Sequence, residues 1–583
     1  MTLTLPLPYG VRGNPNARIL IVGEGFTSGD EKAGEAFRTH QSALEAMLNE
    51  AGINPNDCLY TNICNAMPPY GDPVRWFITE AENKTLQSIR IRGLLPDTLL
   101  LEGLLRLDTL IRELNPAIIV GLGPYALWAL TTNSFSVGNG SKRQQGWKVP
   151  GGLGNYRGSQ LDYLDTDIPV MCTYSPGAIA SVYSWRYQAV HDLRTRVPRA
   201  LAGKVSWVEP QRDYIVAPSY ETCCKCLMEL LMRATLASGP ILLTADIETI
   251  NYTCECIGLG WSKTAAICIP ILKSVAPGGM YTHTNYWSAE EEVGVAQLLK
   301  KVLEHPNIWV AGQNFIYDMQ YLFQDFGIMP NYKHDTMLAQ HTLFPGQPMG
   351  LNFISSMWCN FHRYWKEDGK DASATLDDNK RWTYNCRDCV VTYEALEVQW
   401  EALNYFNLQL QYAIQMARAN ASTRMSLRGM RVDHKRRAEE SVIQLETTME
   451  YANKFTGLLP ASIHTPNPKT SPWWTSPTQQ AHIFYESIGI EPVIDKDTGN
   501  YTTNNDALSK IAAREPALTY LTRLLKEYRS IEASGQFITA RLDRDKRLRS
   551  SFSPTAETFR YRSGETAKGT GRNVQNIPSG SED

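Results

Sequence analysis

The strongest constraint on the fold is a set of short apolar runs that stop at turn-forming or polar residues. They are Arg18–Gly23 (RILIVG), Cys58–Ile63, Ala117–Leu122 (AIIVGL) and Pro169–Thr173, with helical patterns at His40–Ala51 and Leu99–Leu114 between them. Runs of this length are too short for buried helices, and their alternation with amphipathic helices predicts a parallel sheet covered by helices. The pattern restarts at Ile241–Glu248 and continues to about Ala402, which predicts a second α/β unit. From about Asn404 to Thr456 the pattern is helical, and the remainder mixes Pro- and Thr-rich turns with helices. The expected organisation is an α/β domain over 1–205, a connector over 206–237, a second α/β domain over 238–402, a mostly helical region over 403–550 and a final segment over 551–583.

The formal net charge of −3 over 583 residues removes overall basicity as an indication of nucleic-acid binding. It leaves room for local patches. Between Arg523 and Arg572 there are 12 Lys/Arg against 6 Asp/Glu, an excess suited to phosphates. No uninterrupted apolar run reaches the roughly eighteen residues of a membrane span, and Met1–Asn14 lacks a basic segment followed by an apolar one. The expected location is a reducing cytoplasm, with the 12 cysteines as thiols or ligands. Cys223-Cys224-Lys225-Cys226 and Cys386/Cys389 have no paired half at zinc-ligand spacing.

The most informative residues are acidic. Asp246 and Glu248 lie two apart at the end of an apolar strand, so they emerge on one face. Two adjacent carboxylates repel unless a cation sits between them. Asn314 and Asp318 follow a strand that breaks at Gly312, and their spacing suits one helical face. Tyr384 and Asp388 have the same spacing. In this order the three pieces resemble the motifs of the DnaQ-like 3′–5′ proofreading exonuclease of family A DNA polymerases, and His334-Asp335-Thr336-Met337-Leu338 resembles a helix of that family. The resemblance spans roughly residues 238–402 and implies an RNase H-like fold. It also implies two Mg²⁺ or Mn²⁺ ions, with Asp246, Glu248 and Asp388 on the inner ion, Asp318 reaching the other, and Tyr384 orienting the attacking water. Asn314 is implied to support the site or the terminal nucleotide.

The last third continues the resemblance as a mostly α-helical thumb with the start of a palm. Arg428–Asp433, Ser476–Gln480 with Phe484-Tyr485, Thr498-Gly499 to Thr503, and Leu525–Arg529 match thumb elements, and Asn573–Pro578 matches the family's Asn-Leu-Gln-Asn-Ile-Pro. Thr558-Phe559-Arg560 replaces a Thr-Gly-Arg turn. Arg529, Arg560, Arg572 and Asn576 are the implied DNA contacts. The palm aspartate motifs and the fingers helix are not found before Asp583. The expected partners are therefore DNA, as primer–template or single-stranded 3′ end, and a second chain supplying palm and fingers.

The first 200 residues resemble the family 4 branch of the uracil-DNA glycosylase superfamily. The resemblance rests on Val22-Gly23-Glu24-Gly25, Gly34–Phe37, Tyr60-Thr61-Asn62, Met67-Pro68-Pro69 and the Asn115–Gly123 strand. It implies a base pocket of Glu24, Phe37, Asn62 and Ser175, with Phe37 stacking on a flipped base and Asn62 reading its edge. Ser175 stands where the family has histidine, and Cys58, Cys64 and Cys172 are too few for its iron–sulfur cluster, so no cluster is expected. The expectation is an accessory, base- or DNA-binding domain in a phage-type replication protein of a bacterial or phage-infected cell. A uracil or modified-base glycosylase and a non-catalytic DNA-binding scaffold are the competing readings.

Overall fold

The structure is a computed structural model that describes residues 7–86, 88–132, 138–139, 148–276, 282–366, 377–459, 471–495 and 499–577. Thr498 and Pro578, used in the resemblance above, and Ser579–Asp583 lie outside the described residues. The chain divides into two compact units. One comprises Met1–Ile250, Cys254–Phe315 and Ile328–Met416, and the other Asn251–Thr253, Ile316–Gly327 and Ala417–Asp583.

The first unit holds two six-stranded sheets. In the first sheet, Cys58–Asn62, Ile19–Gly23, Ile118–Leu122 and Pro169–Thr173 are consecutive and parallel. Short antiparallel strands, Arg12–Gly13 and Leu161–Asp162, close the two edges. Leu20, Ile21, Ile119 and Val120 are fully buried, as expected for strands covered on both faces. The helix expected at Leu99–Leu114 runs Thr98–Leu114. Asp97 caps it by accepting from Leu100 N at 2.8 Å, and Leu100, Leu107 and Ile111 face inward.

In the second sheet the order is Tyr332–Asp335, Ile308–Gly312, Ile241–Ile250, Thr253–Gly260, Ala265–Pro270 and Asp213–Ile215. Residues 206–237, read from the pattern as a connector, contribute the last of these strands and the helix Tyr220–Leu236. The long helix Asp378–Tyr405 lies against this sheet, with Cys386, Cys389 and Val390 packed on Cys256, Ala266 and Cys268.

The second unit is mostly helical. His434–Thr456 and Thr519–Thr539 pack together around Phe455, Phe484, Leu508, Leu525 and Tyr528. Gln444 Nε2 donates to Ile531 O at 2.9 Å, and its amide lies against Gly535, where a β carbon would displace it. Phe559 has a left-handed backbone, with φ +59°. The turn is closed by Phe559 N donating to Ala556 O and by Arg418 Nη2 donating to Phe559 O at 2.6 Å. Among the described residues no helix is long and apolar enough to cross a membrane.

Candidate functional site

The Ile241–Ile250 strand buries Ala245 and Ile247 on one face and presents Asp246 and Glu248 on the other. Asp388 comes from the Asp378–Tyr405 helix, which can reach the strand because two residues beneath it have no side chain. A β carbon on Gly258 would collide with Asn385 Oδ1 and come within 2.7 Å of Cys389 Sγ, and one on Gly260 would lie 3.1 Å from Cys389 Cβ. Thr244 Oγ1 fastens the same contact, 3.1 Å from Gly260 O and 2.9 Å from Cys389 O. The result is that Asp246, Glu248 and Asp388 each offer an oxygen, all within 4.8 Å of one another, and this is the one such metal-competent group among the described residues.

Neutral donors brace two of the three. Asn385 Nδ2 donates to Asp246 Oδ2 at 2.9 Å, and Trp365 Nε1 donates to Asp388 Oδ1 at 2.7 Å. Burial pushes the Asp388 carboxyl up to about 6, against the opposing pull of Trp365, Lys366, Arg387 and the hydrogen-bonded Tyr384. The Tyr384 phenol is pushed upward by burial and then by Asp388, Glu248 and Asp246, so it stays protonated beside them. An all-oxygen set of three carboxylates, braced by neutral groups and with a buried member that resists ionisation, fits a hard divalent cation. Neither Asn385 nor Trp365 was assigned a role from the sequence. Asn385 sits inside the Tyr384–Asp388 spacing and could have been picked out, whereas Trp365 lies in a loop with no motif.

Asn314 and Asp318 do not share a helical face, contrary to the expectation from their spacing. The helix begins only at Ile316, and Asn314 precedes it in a left-handed turn with φ +57°. Fully buried Asp335 holds that turn. Its oxygens accept from Asn314 N (3.2 Å), Phe315 N (2.9 Å) and Tyr332 Oη (2.7 Å), and also cap the Thr336–Leu343 helix through Met337 N (2.8 Å). This accounts for the Asp335-Thr336-Met337 motif as a joint. Asp318 lies buried in the first turn of Ile316–Phe326, within the second unit and outside the 4.8 Å trio.

A second candidate site lies in the first sheet. Glu24, Phe37, Asn62 and Ser175 all line one cavity of about 400 Å³, together with His40 and Trp76. Glu24 Oε1 accepts from Tyr125 N at 3.0 Å, and burial pushes the Glu24 carboxyl up to about 7. Asn62 is held from behind, its carbonyl taken by Arg106 Nη2 and its N–H by Asn65 Oδ1. Its buried Nδ2 has no hydrogen-bond partner among the described residues, the kind of donor that a bound acceptor would satisfy. Phe37 has φ +60°, and its ring and the Asn62 amide crowd Gly23, where no β carbon fits. Ser175 Oγ accepts from Ala178 N at 3.3 Å as the cap of the Pro176–Ser181 helix. His40 was missed in the sequence. Its Nε2 would lie 3.6 Å from a β carbon on Gly177, a neighbourhood that no sequence spacing discloses.

In the second unit, Arg529 uses its guanidinium inside the fold, donating to Thr503 O (2.8 Å), Gln480 Oε1 (2.6 Å) and Asn505 Oδ1 (3.2 Å). Arg572 pairs with Glu565 at 2.8 Å. Arg549 pairs with Asp543 and Asp545, and Lys568 with Asp325. Arg560 and Asn576 are exposed, as are Arg541, Arg544 and Arg562.

Residues 11–194 match the family model of the uracil DNA glycosylase superfamily, and residues 242–403 match that of a 3′-5′ exonuclease. No curated protein matches the chain. Among solved structures, the POL domain of Pol1 from M. smegmatis, in complex with DNA primer-template and dNTP, has a TM-score of 0.42 and 16% identity over 64% of this chain. This chain spans 57% of the length of that one. The chain thus joins a domain similar to the uracil DNA glycosylase superfamily to one similar to 3′-5′ exonucleases, in that order.

Proposed function

We propose that this chain is a metal-dependent 3′–5′ DNA exonuclease serving replication in the manner of a family A polymerase proofreading domain. The observation that carries the reading is the trio of Asp246, Glu248 and Asp388 with its ligand atoms within 4.8 Å. These residues would hold Mg²⁺ or Mn²⁺, which when bound supplies a hydroxide nucleophile and stabilises charge on the leaving oxygen. Asn385 and Trp365 each tie one carboxylate oxygen, which fixes the direction in which Asp246 and Asp388 present the other. The Tyr384 hydroxyl stays protonated and is suited to orienting a water by a hydrogen bond. In the second unit, exposed Arg541, Arg544, Arg560 and Arg562 offer contacts to DNA phosphates.

The cavity around Asn62 supports a base-binding accessory role for the first domain. Its unpaired buried donor suits a base carbonyl, and Ser175 is committed to capping a helix. The test of the main reading is incubation with end-labelled single-stranded DNA in Mg²⁺, in Mn²⁺ and in chelator. Shortening from the 3′ end, lost in chelator and in an Asp246→Asn/Glu248→Gln variant, is the expected result. Degradation by that variant at the parent's rate would overturn the site assignment.

A further inference from the structure

The two α/β layers of the first unit are joined by buried polar contacts that end on the carboxylate trio. Arg157 and Asp192, both fully buried, pair at 2.6 Å, and Arg157 Nη2 continues to Ser356 Oγ at 2.8 Å. Arg196, also fully buried, donates to Gly158 O at 2.9 Å on its own side. Across the junction it donates to Ser356 O (2.8 Å) and Asn360 O (2.9 Å). Beside it one backbone and two side-chain hydrogen bonds join the two segments. Gln160 N donates to His362 O at 2.7 Å, His362 N to Gln160 Oε1 at 3.3 Å, and Tyr364 N to Ser159 Oγ at 3.2 Å. The next residue is Trp365, whose indole donates to Asp388 Oδ1. Residues 359–364 are held from both sides. Within their own domain Cys359 N donates to Ser355 O, Cys359 Sγ to Val391 O and Asn360 N to Glu394, and His362 Nδ1 meets Ser355, while Arg196 and residues 159–160 take the carbonyls of 359, 360 and 362 and the N–H groups of 362 and 364.

A fully buried arginine that loses its carbonyl acceptors leaves an uncompensated charge, so this junction is not one the loop can slip along at small cost. A guanidinium forked onto fixed carbonyls also has little orientational freedom. The loop is therefore clamped by the glycosylase-like domain on one side and delivers a single side chain to the metal-competent group on the other.

We propose that the glycosylase-like domain is a structural part of the exonuclease site: it clamps the 359–365 loop, and Trp365 acts as a positioning residue that orients Asp388 toward the metal. The proposal rests on the exonuclease reading above. Partners that orient a ligand typically change metal affinity by about 10- to 100-fold when removed.

The test measures Mn²⁺ binding to the full chain by electron paramagnetic resonance of the free ion, alongside exonuclease rate against Mn²⁺ concentration. Trp365→Phe should weaken Mn²⁺ binding roughly tenfold, with the rate recovered at high Mn²⁺, which a loss of fold would not permit. Ser159→Ala with Gln160→Met, whose side chains face the loop and not the carboxylates, should weaken it in the same direction by a smaller factor. This pair also keeps the idea testable if Trp365→Phe does not fold. Parental Mn²⁺ affinity in either variant would overturn the proposal while leaving the exonuclease reading intact. A parent chain with no Mn²⁺ site that Asp246→Asn/Glu248→Gln removes would overturn both.

Discussion

The two candidate sites of the first unit each bury a carboxyl, and the two are treated oppositely. Asp388, pushed up to about 6 by burial, sits among two further carboxylates and two bracing donors, an arrangement relieved by adding positive charge. Glu24, pushed up to about 7, belongs to no group of three metal-competent side chains among the described residues and accepts from one backbone N–H. It can stay protonated up to near neutral pH. The comparison teaches that burial alone does not mark a metal ligand. What marks one is burial together with neighbours whose repulsion only a cation removes.

The largest expected effect comes from breaking the first site. Asp246→Asn with Glu248→Gln should abolish 3′–5′ degradation by orders of magnitude while melting as cooperatively as the parent, read by gel assay and circular dichroism. A second effect separates the two carboxyls by pH. Both have folded pKa values raised above their unfolded ones, 3.8 for Asp388 and 4.5 for Glu24. Each therefore contributes stability that is present below the unfolded value and lost as pH rises through the folded one. Without metal, melting temperature should fall from about pH 4 to 6 on account of Asp388 and to about 7 on account of Glu24. Asp388→Asn and Glu24→Gln should each remove their own part. Adding Mn²⁺ at neutral pH should restore the Asp388 part alone, and equal restoration in Asp388→Asn would contradict the contrast.

A smaller effect concerns the pocket. Uracil-containing DNA should bind without release of free uracil, and Asn62→Ala should weaken that binding by about 1–3 kcal/mol, the cost of leaving a buried acceptor unsatisfied, as measured by fluorescence anisotropy. Free uracil in the supernatant, lost in His40→Ala, would instead make the pocket an enzyme. The smallest effect is at Ser175. Ser175→Ala should cost about 1 kcal/mol as a lost helix cap and leave exonuclease rate and uracil-DNA binding unchanged.

Much of this was legible in the chain because it rests on local periodicity. The Cys58, Ile118 and Pro169 strands begin within a residue of where alternation placed them, and the i, i+2 spacing correctly put Asp246 and Glu248 on one face. Tyr384 and Asp388 fall on a helix as their spacing required. The same reasoning failed at Asn314, where spacing alone could not show that Asp335, 21 residues on, pulls the backbone into a left-handed turn before the helix begins. The basic excess after Arg523 was visible as a count, but not that Arg529, Arg549, Lys568 and Arg572 use their charge within the fold. Trp365 was illegible for a different reason. Its importance comes from a partner 23 positions away and from a loop held by residues about 200 positions earlier.

Gly258 carries a last consequence. It lies on the Thr253–Gly260 strand, next to the one that bears two of the acidic groups, and its missing methyl group leaves room for the Asn385 and Cys389 side chains of the helix that bears the third. The atoms that a β carbon there would meet belong to the side chains of Asn385, which braces Asp246, and Cys389. Enlarging position 258 by one carbon would push the Asn385 amide aside without touching any acidic residue, so a protein with all its ligands intact could lose its cation because the brace on Asp246 had been displaced.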